Sequence, residues 1–219
     1  MTREEIHARI EGLGIVPAIR VTCADDALFA ADAVSRGGIP IVEVTMTVPG
    51  ALAVLAELLR TRPEMIVGAG TVLDAETAQD CVAAGVHFLT SPGLHIPVMD
   101  VAAKHDMTVM PGALTPTEIW SARKAGASFV KVFPCAPVGG PSYIRSMRGP
   151  FPDVPFVAAG GVNQHTAMDY VLAGAGVLGI GGDLIPRTAI RERNRDWITE
   201  LAHRFLGIVK AARARLADR

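Results

Sequence analysis

One lysine interrupts an apolar segment that otherwise has the composition of a buried strand. The segment is FVKVFP, residues 129–134, with Lys131 at its centre. Burial in apolar surroundings disfavours the charged form of an amine. A neutral amine is a nucleophile that attacks carbonyl groups to form a Schiff base, and the protonated imine then draws electrons from a neighbouring C–C bond. Lys131 is therefore a candidate nucleophile for making or breaking such a bond.

A single carboxylate falls inside a strand-like segment of this chain. Glu43, in IPIVEVTM (39–46), stands between Val42 and Val44. A positioned carboxylate can transfer protons as a general acid and base. The alternative is a structural ion pair between Glu43 and Lys131, but desolvating both ions costs several kcal/mol each and makes such pairs poor stabilisers. Amine and carboxylate together predict a class I aldolase or a related Schiff-base enzyme.

These residues belong to a regular alternation of strand-like and helical segments. At TPTE (115–118), for example, Thr115 can cap a helix, Pro116 suits its first position and Glu118 completes a capping box. Strands alternating with helices throughout the chain predict a single (β/α)₈ TIM barrel of the α/β class, with an open doubly wound sheet as the alternative. The eight predicted strands span 14–20, 39–46, 65–71, 86–91, 107–112, 128–134, 155–161 and 176–182.

Both ends of the chain have the composition of additional helix. An N-terminal helix over residues 2–12 is predicted to close the bottom of the barrel. Residues 191–217 are predicted to form a long C-terminal amphipathic helix. Its apolar side would carry Trp197, Leu201, Phe205 and Ile208. Because no linker or low-complexity segment divides the chain, residues 1–219 are predicted to form one domain.

Alternation along each strand predicts which side chains face the barrel interior. If Lys131 points inward, Phe129 and Phe133 do so as well. The polar residues of this set lie near the C-terminal ends of their strands, where barrel enzymes place their chemistry. On the first three strands the rule turns inward Ala18, Arg20, Ile41, Glu43, Thr45, Val67, Ala69 and Thr71.

Two kinds of anion site are indicated at the same face. Arg20, at the end of the first strand, can bind the carboxylate of a keto acid in bidentate fashion, although a surface salt bridge is the alternative. Thr71 can add a hydroxyl hydrogen bond. Glycine pairs after the last two strands let backbone N–H groups approach a phosphate, or serve as turns. These glycines are Gly160, Gly161, Gly181 and Gly182.

Composition excludes several classes of partner. A net charge of −1 provides no electrostatic footprint for nucleic acid or an anionic membrane. No apolar run approaches the roughly 18 residues of a membrane span. The cysteines and histidines show no disulfide framework and no metal-ligand spacing. We therefore expect a cytoplasmic protein with small-molecule partners and with neither a cofactor nor a metal ion.

Several motifs, taken in order, resemble those of the 2-keto-3-deoxy-6-phosphogluconate/4-hydroxy-2-oxoglutarate (KDPG/KHG) aldolases. They are Glu43, GAGT (68–71), SPG (91–93), MPGALTPTE (110–118), VKVFP (130–134) and GGV (160–162). The resemblance runs from the first strand to the eighth. It implies a class I aldolase, usually a homotrimer, that reversibly cleaves a 2-keto-3-deoxy sugar acid phosphate, or 4-hydroxy-2-oxoglutarate, to pyruvate and an aldehyde.

The resemblance also implies roles for individual residues. Lys131 matches the Schiff-base lysine and Glu43 the general acid/base. Thr71 matches a contact to the pyruvate carboxylate, while Pro92 and Phe133 match residues that pack around the pyruvyl group. The two glycine pairs match the phosphate loops. Because Thr47 stands where some members carry an arginine, Arg20 resembles the carboxylate clamp of other members.

Departures from the family pattern fall in the phosphate loops. Ala158 and Ala159 stand where many members read Pro-Thr, and Asp183 stands where many have serine. The chain thus lacks two hydroxyls and gains a negative charge, which opposes a dianion. We expect a reduced preference for phosphate, with unphosphorylated aldehydes or glyoxylate used comparably.

Two other functions fit the same residues. One is a phosphate-binding barrel, an isomerase or synthase, in which Lys131 neutralises charge and forms no imine. The other is a barrel that binds a keto acid without catalysis. Retention of both Lys131 and Glu43 argues against the second, because a binding protein needs no nucleophile in its core.

Overall fold

The computed structural model describes residues 1–218. Its strands are β1 (Ile15–Ile19), β2 (Ile41–Thr45), β3 (Ile66–Gly70), β4 (Phe88–Thr90), β5 (Thr108–Met110), β6 (Gly112–Ala113), β7 (Val130–Val132), β8 (Phe156–Ala159) and β9 (Ala175–Ile180). They form one sheet in the order β5-β4-β3-β2-β1-β9-β8-β7-β6, and every pair is parallel. The predicted α/β barrel is confirmed.

Helices occupy most of the connections between the strands and both ends of the barrel. They are α1 (Arg3–Leu13), α2 (Ala24–Arg36), α3 (Ala51–Thr61), α4 (Ala75–Ala83), α5 (Ile96–Lys104), α6 (Pro116–Lys124), α7 (Pro141–Arg148), α8 (Ala167–Leu172), α9 (Arg187–Arg191) and α10 (Arg195–Ala217). The capping box predicted for α6 is present, since Thr115 accepts from the Glu118 N–H and Glu118 from the Thr115 N–H. Within residues 1–218, no helix combines the length and apolar character that crossing a bilayer requires.

The fifth predicted strand is split at Pro111 into β5 and β6. β5 pairs with β4, and β6 pairs with β7. The split does not open the barrel, because the Lys131 N–H donates to the Pro111 carbonyl at 2.9 Å. The Ser128 N–H likewise donates to the Val109 carbonyl at 3.0 Å. Eight predicted strands thus become nine, while the closed circuit is retained.

Helix α1 covers the end of the barrel where the strands begin. Ile6 and Ile10 are buried, and the His7 ring stacks on Phe129 with 4.2 Å between centroids. The Thr108 hydroxyl donates to the carbonyl of Arg3. These contacts confirm the predicted closure of the barrel bottom and leave the opposite end open.

The C-terminal helix differs from its prediction in its start and in its buried side. A separate short helix, α9, precedes α10, which begins four residues later than predicted, with Asn194 capping the Trp197 N–H. Trp197 is 38% exposed and does not belong to the buried side. The side packed against the barrel carries Ile198, Leu201, Ala202, Phe205, Val209 and Ala212. The prediction for Leu201 and Phe205 was right, and that for Trp197 was wrong because it lies at the border of the helix face.

Candidate active site

Lys131 and Glu43 face each other inside the open end of the barrel. The Nζ atom of Lys131, on β7, lies 3.9 Å from Oε2 of Glu43, on β2. The side chains are 13% and 5% exposed, respectively. This separation places a carboxylate next to an amine that is still reachable from the cavity. The pair can therefore combine nucleophilic attack with proton transfer.

Two glycines of β3 make room for the side chains beside them. A Cβ atom at Gly70 would overlap the Glu43 carboxylate, and one at Gly68 would overlap the Phe88 ring. Gly68 pairs with Glu43 in register, and paired residues of adjacent parallel strands face the same side. The interior positions of β3 are therefore Ile66, Gly68 and Gly70. The prediction that Val67 and Ala69 face inward was wrong, since a glycine carries no side chain to reveal its orientation.

Thr71 reaches the cavity through its backbone conformation. It follows β3 with φ of 58°, in the left-handed region that a β-branched residue rarely adopts. Strict alternation would place it on the outer face with Ala69, but this conformation turns its hydroxyl into the cavity, where Arg20 donates to it at 3.1 Å. Thr71 is thus where it was predicted, for a different reason.

A chain of threonine hydroxyls orients Arg20. Arg20 Nη1 donates to the Thr47 hydroxyl at 3.3 Å, which lies 2.8 Å from the Thr45 hydroxyl. Thr45 is buried and donates to the Ile19 carbonyl at 3.1 Å. Because a hydroxyl has only one proton, Thr47 must donate to Thr45 and accept from Arg20. Donation therefore runs from the Arg20 guanidinium through Thr47 and Thr45 to the Ile19 carbonyl.

One cavity of about 520 Å³ joins all of the predicted site residues. Its position at the C-terminal ends of the strands is the usual one for barrel enzymes. The predicted residues that line it are Arg20, Glu43, Thr71, Pro92, Lys131, Phe133, Gly160, Gly161, Gly181 and Gly182. The amine, the carboxylate, the arginine and the glycine loops thus border a single space.

Pro92 and Phe133 form one wall of this cavity. Both residues also line a second cavity of about 330 Å³ on their other side, bordered by Leu94 and Leu114 and lacking both Lys131 and Glu43. The Phe133 ring centroid lies 5.4 Å from Lys131 Nζ. The wall therefore places an aromatic face against the amine and separates it from the neighbouring cavity.

Cys135 lies four residues beyond Lys131 but offers no competing nucleophile. Its side chain is fully buried, with Sγ 3.7 Å from the Gly140 carbonyl. Burial raises the pKa of the Cys135 thiol to about 11. The thiolate is the reactive form of cysteine, so Cys135 is inert at neutral pH.

The two glycine pairs differ in what the backbone requires of them. Gly160 and Gly161 have φ of 82° and 92°, and a Cβ at Gly161 would overlap Ala136. Gly182 has no left-handed φ, and a Cβ there would meet nothing within 4 Å. The first pair is required by the loop itself, whereas Gly182 leaves open space that a ligand can fill.

Two charged residues after β9 line the cavity, and only one of them was expected from the sequence. Asp183 was noted, but Arg187, the first residue of α9, also lines the cavity. A basic residue shortly after a strand end at the catalytic face, following Pro186, was the available signal. Other lining residues that were missed are Val162, Gly179 and Ile185.

Known proteins similar to this chain are aldolases. The model of the family "KDPG and KHG aldolase" matches residues 6–201. The 2-dehydro-3-deoxy-phosphogluconate aldolase of Pseudomonas aeruginosa is 34% identical, over 89% of each chain. The KHG/KDPG aldolase of Escherichia coli is 35% identical, over 86% of this chain and 88% of that protein. A crystal structure of the Legionella pneumophila KDPG aldolase, holding pyruvate as a covalent carbinolamine, is 33% identical with a TM-score of 0.84, over 90% of this chain and 96% of that one.

Proposed function

We propose that this chain, which belongs to the KDPG and KHG aldolase family, performs class I aldol chemistry with Lys131 as its Schiff-base nucleophile and Glu43 as its general acid and base. The chain is a carbon–carbon lyase of the aldolase type. The observation that carries the residue assignment is the 3.9 Å approach of Lys131 Nζ to Glu43 Oε2 inside the cavity. The pair has the two functions that imine chemistry needs.

The first half of the reaction forms the imine. Lys131 Nζ attacks the C2 carbonyl of the keto acid, and the former carbonyl oxygen takes up a proton from solvent to give a carbinolamine. Glu43 accepts a proton from the nitrogen and returns one to the departing hydroxyl. Loss of water then leaves a protonated imine on Lys131. Both proton transfers lie within reach of one carboxylate.

The second half breaks the C–C bond. Glu43 removes the proton of the C4 hydroxyl, the C3–C4 bond breaks, and its electron pair moves into the imine to form an enamine. The aldehyde leaves. Glu43 then protonates C3 of the enamine, and water hydrolyses the resulting imine to pyruvate and free Lys131. The reverse sequence makes the bond.

Arg20 and Thr71 are proposed to bind the keto-acid carboxylate. A guanidinium provides two parallel donors for a carboxylate, and the threonine chain through Thr47 holds Arg20 beside Thr71. Pro92 and Phe133 are proposed to pack against the pyruvyl methyl group, since they form the apolar wall next to Lys131.

The proposed substrate is a 2-keto-3-deoxy sugar acid of the 6-phosphogluconate type, or 4-hydroxy-2-oxoglutarate. Relatives at 34% and 35% identity carry the names of these activities. A cavity of about 520 Å³ is large enough for a six-carbon acid. The products are pyruvate and an aldehyde, and neither a cofactor nor a metal ion has a role in these steps.

A homotrimer is proposed as the assembled form. Leu73, Ile96 and Trp120 are 56%, 50% and 53% exposed, and they lie in the segments that follow β3, β4 and β6. Large apolar residues that are exposed in this way are candidates for an interaction surface, which supports the trimer that the family resemblance implies. We name Leu73, Ile96 and Trp120 the apolar surface.

Cytoplasmic localisation and a single domain are proposed as well. The three cysteines are free thiols, which supports a reducing compartment. The terminal helices α1 and α10 both pack against the barrel, α10 chiefly against α8 and α2. These contacts support one domain over residues 1–219.

Borohydride reduction in the presence of pyruvate tests the proposed roles. The expected result is a covalent pyruvate adduct on Lys131, identified by peptide mass spectrometry, and no adduct in Lys131→Ala. Lys124→Ala is the matched control, because Lys124 lies on α6 and outside the cavity. Absence of the adduct in a folded native enzyme would favour the isomerase or synthase without imine chemistry. An adduct without turnover would favour the keto-acid-binding barrel.

A further inference from the structure

The segment after β9 brings one cation and one anion to the active-site cavity. Arg187 and Asp183 both line it beside Gly160 and Gly182. We infer that Arg187 is a specificity-determining residue that selects substrates with a terminal phosphate, and that Asp183 opposes it. This inference rests on the aldolase function proposed above.

Arg187 differs from the next three arginines in the chain. Arg191 pairs with Glu192, Arg193 with Asp25 and Asp26, and Arg195 with Asp32. Within residues 1–218, no carboxylate lies within 4.0 Å of the Arg187 guanidinium, whereas those three each form such a pair. Its charge is therefore available to a ligand in the cavity.

The space beside Arg187 suits an anionic group. Neither its backbone conformation nor a neighbouring atom requires glycine at position 182, so Gly182 leaves open space there. Gly160 and Gly161 border the same space. A guanidinium binds phosphate oxygens with paired donors, and backbone N–H groups of glycine loops add further donors. Arg187 can thus replace the side-chain hydroxyls that Ala159 and Asp183 lack.

Asp183 acts in the opposite direction. Its carboxylate lines the same cavity, and it repels a phosphate dianion while accepting hydrogen bonds from sugar hydroxyls. The reduced phosphate preference was expected from the sequence because of Asp183, before Arg187 was known to line the cavity. That reduced preference is the behaviour we now expect of an enzyme from which Arg187 has been removed.

The test compares kcat/KM for 2-keto-3-deoxy-6-phosphogluconate with kcat/KM for its unphosphorylated analogue. Arg187→Ala should lower this ratio about tenfold, the value of one charge-assisted hydrogen bond at an exposed site. Asp183→Asn should raise the ratio. Arg187→Lys should give a ratio between those of the native enzyme and Arg187→Ala. Arg191→Ala is the matched control, since Arg191 lies on the same helix but outside this cavity. It should leave the ratio as in the native enzyme.

Ionic strength provides a second readout. Salt screens exposed charges, so the ratio of the native enzyme should fall as salt is added, and that of Arg187→Ala should fall less. An unchanged ratio in folded Arg187→Ala, or equal losses on both substrates, would overturn the inference. Borohydride trapping of pyruvate distinguishes failure of this inference from failure of the proposed function. An adduct together with an unchanged ratio refutes only the role of Arg187, whereas no adduct in the native enzyme refutes the proposed function.

Discussion

Gly70 leaves the space that the Glu43 carboxylate occupies, and a methyl group at Gly70 would overlap Oε1 of that carboxylate. We expect Gly70→Ala to displace Glu43 from Lys131 and to lower kcat by about tenfold or more, because acid–base catalysis depends on position. Steady-state kinetics on the purified variant provide the measurement.

Gly207→Ala is the control for that substitution. Gly207 lies within α10, and a Cβ there would meet nothing within 4 Å. Alanine at this position should raise stability slightly, since glycine disfavours helix interiors, and should leave kcat as in the native enzyme. Full activity in Gly70→Ala would show that Glu43 can act from another position.

Glu43→Gln tests the acid/base role directly. Glutamine keeps the shape of the side chain but cannot accept the proton, so turnover should fall by on the order of a hundredfold or more. Retro-aldol kinetics measure the loss, and the exposed carboxylate variant Glu64→Gln serves as a control. Full turnover in Glu43→Gln would mean that another group carries the protons.

Thr47→Val tests the threonine chain that orients Arg20. Loss of the hydroxyl removes the acceptor for Arg20 Nη1, so KM for the keto acid should rise about threefold to tenfold, the worth of about one net hydrogen bond. The effect on kcat should be smaller, because the carboxylate contact proposed for Arg20 is the same in the ground and transition states. Thr47→Ser should restore KM. A fall in kcat with KM unchanged would contradict this positioning role.

Lys131→Ala should abolish cleavage while the barrel stays folded. The change removes an amine that is 13% exposed and leaves only a small cavity. Circular dichroism and thermal unfolding should therefore resemble those of the native protein, even though no imine forms. Residual cleavage near the native rate would exclude Lys131 as the nucleophile.

Trp120→Asp tests whether the apolar surface mediates assembly. A charge in the middle of a buried interface is costly unless it is paired, so light scattering should detect a smaller species than the native assembly. Trp197→Asp is the matched control, because Trp197 is exposed on α10, away from the apolar surface. An unchanged mass in Trp120→Asp would place the contact elsewhere.

Much of the site could be predicted from residue types in a repeating pattern. A lysine and a glutamate inside apolar strands stand out because burying an ion without a function is costly. The alternation of strands and helices then places both at one end of a barrel. The split at Pro111 was not visible as a break, because a proline can stand within a strand where its missing N–H is not needed.

Side-chain orientation on β3 could not be predicted from the same pattern. Gly68 and Gly70 hold two of the three interior positions, and a glycine contributes nothing to an apolar alternation. Thr71 enters the cavity only because its φ is 58°. That conformation arises from the tertiary surroundings, which impose it against the preference of a β-branched residue.

By itself, the sequence determined the chemistry of this protein, since the identity of Lys131 and Glu43 and the order of strands and helices are local properties of the chain. The tertiary structure decided the surroundings of that chemistry. It placed Thr47 beneath Arg20 and brought Arg187 into the cavity. Loop paths and hydrogen-bond partners depend on contacts between residues far apart in the chain, and no short-range pattern specifies them.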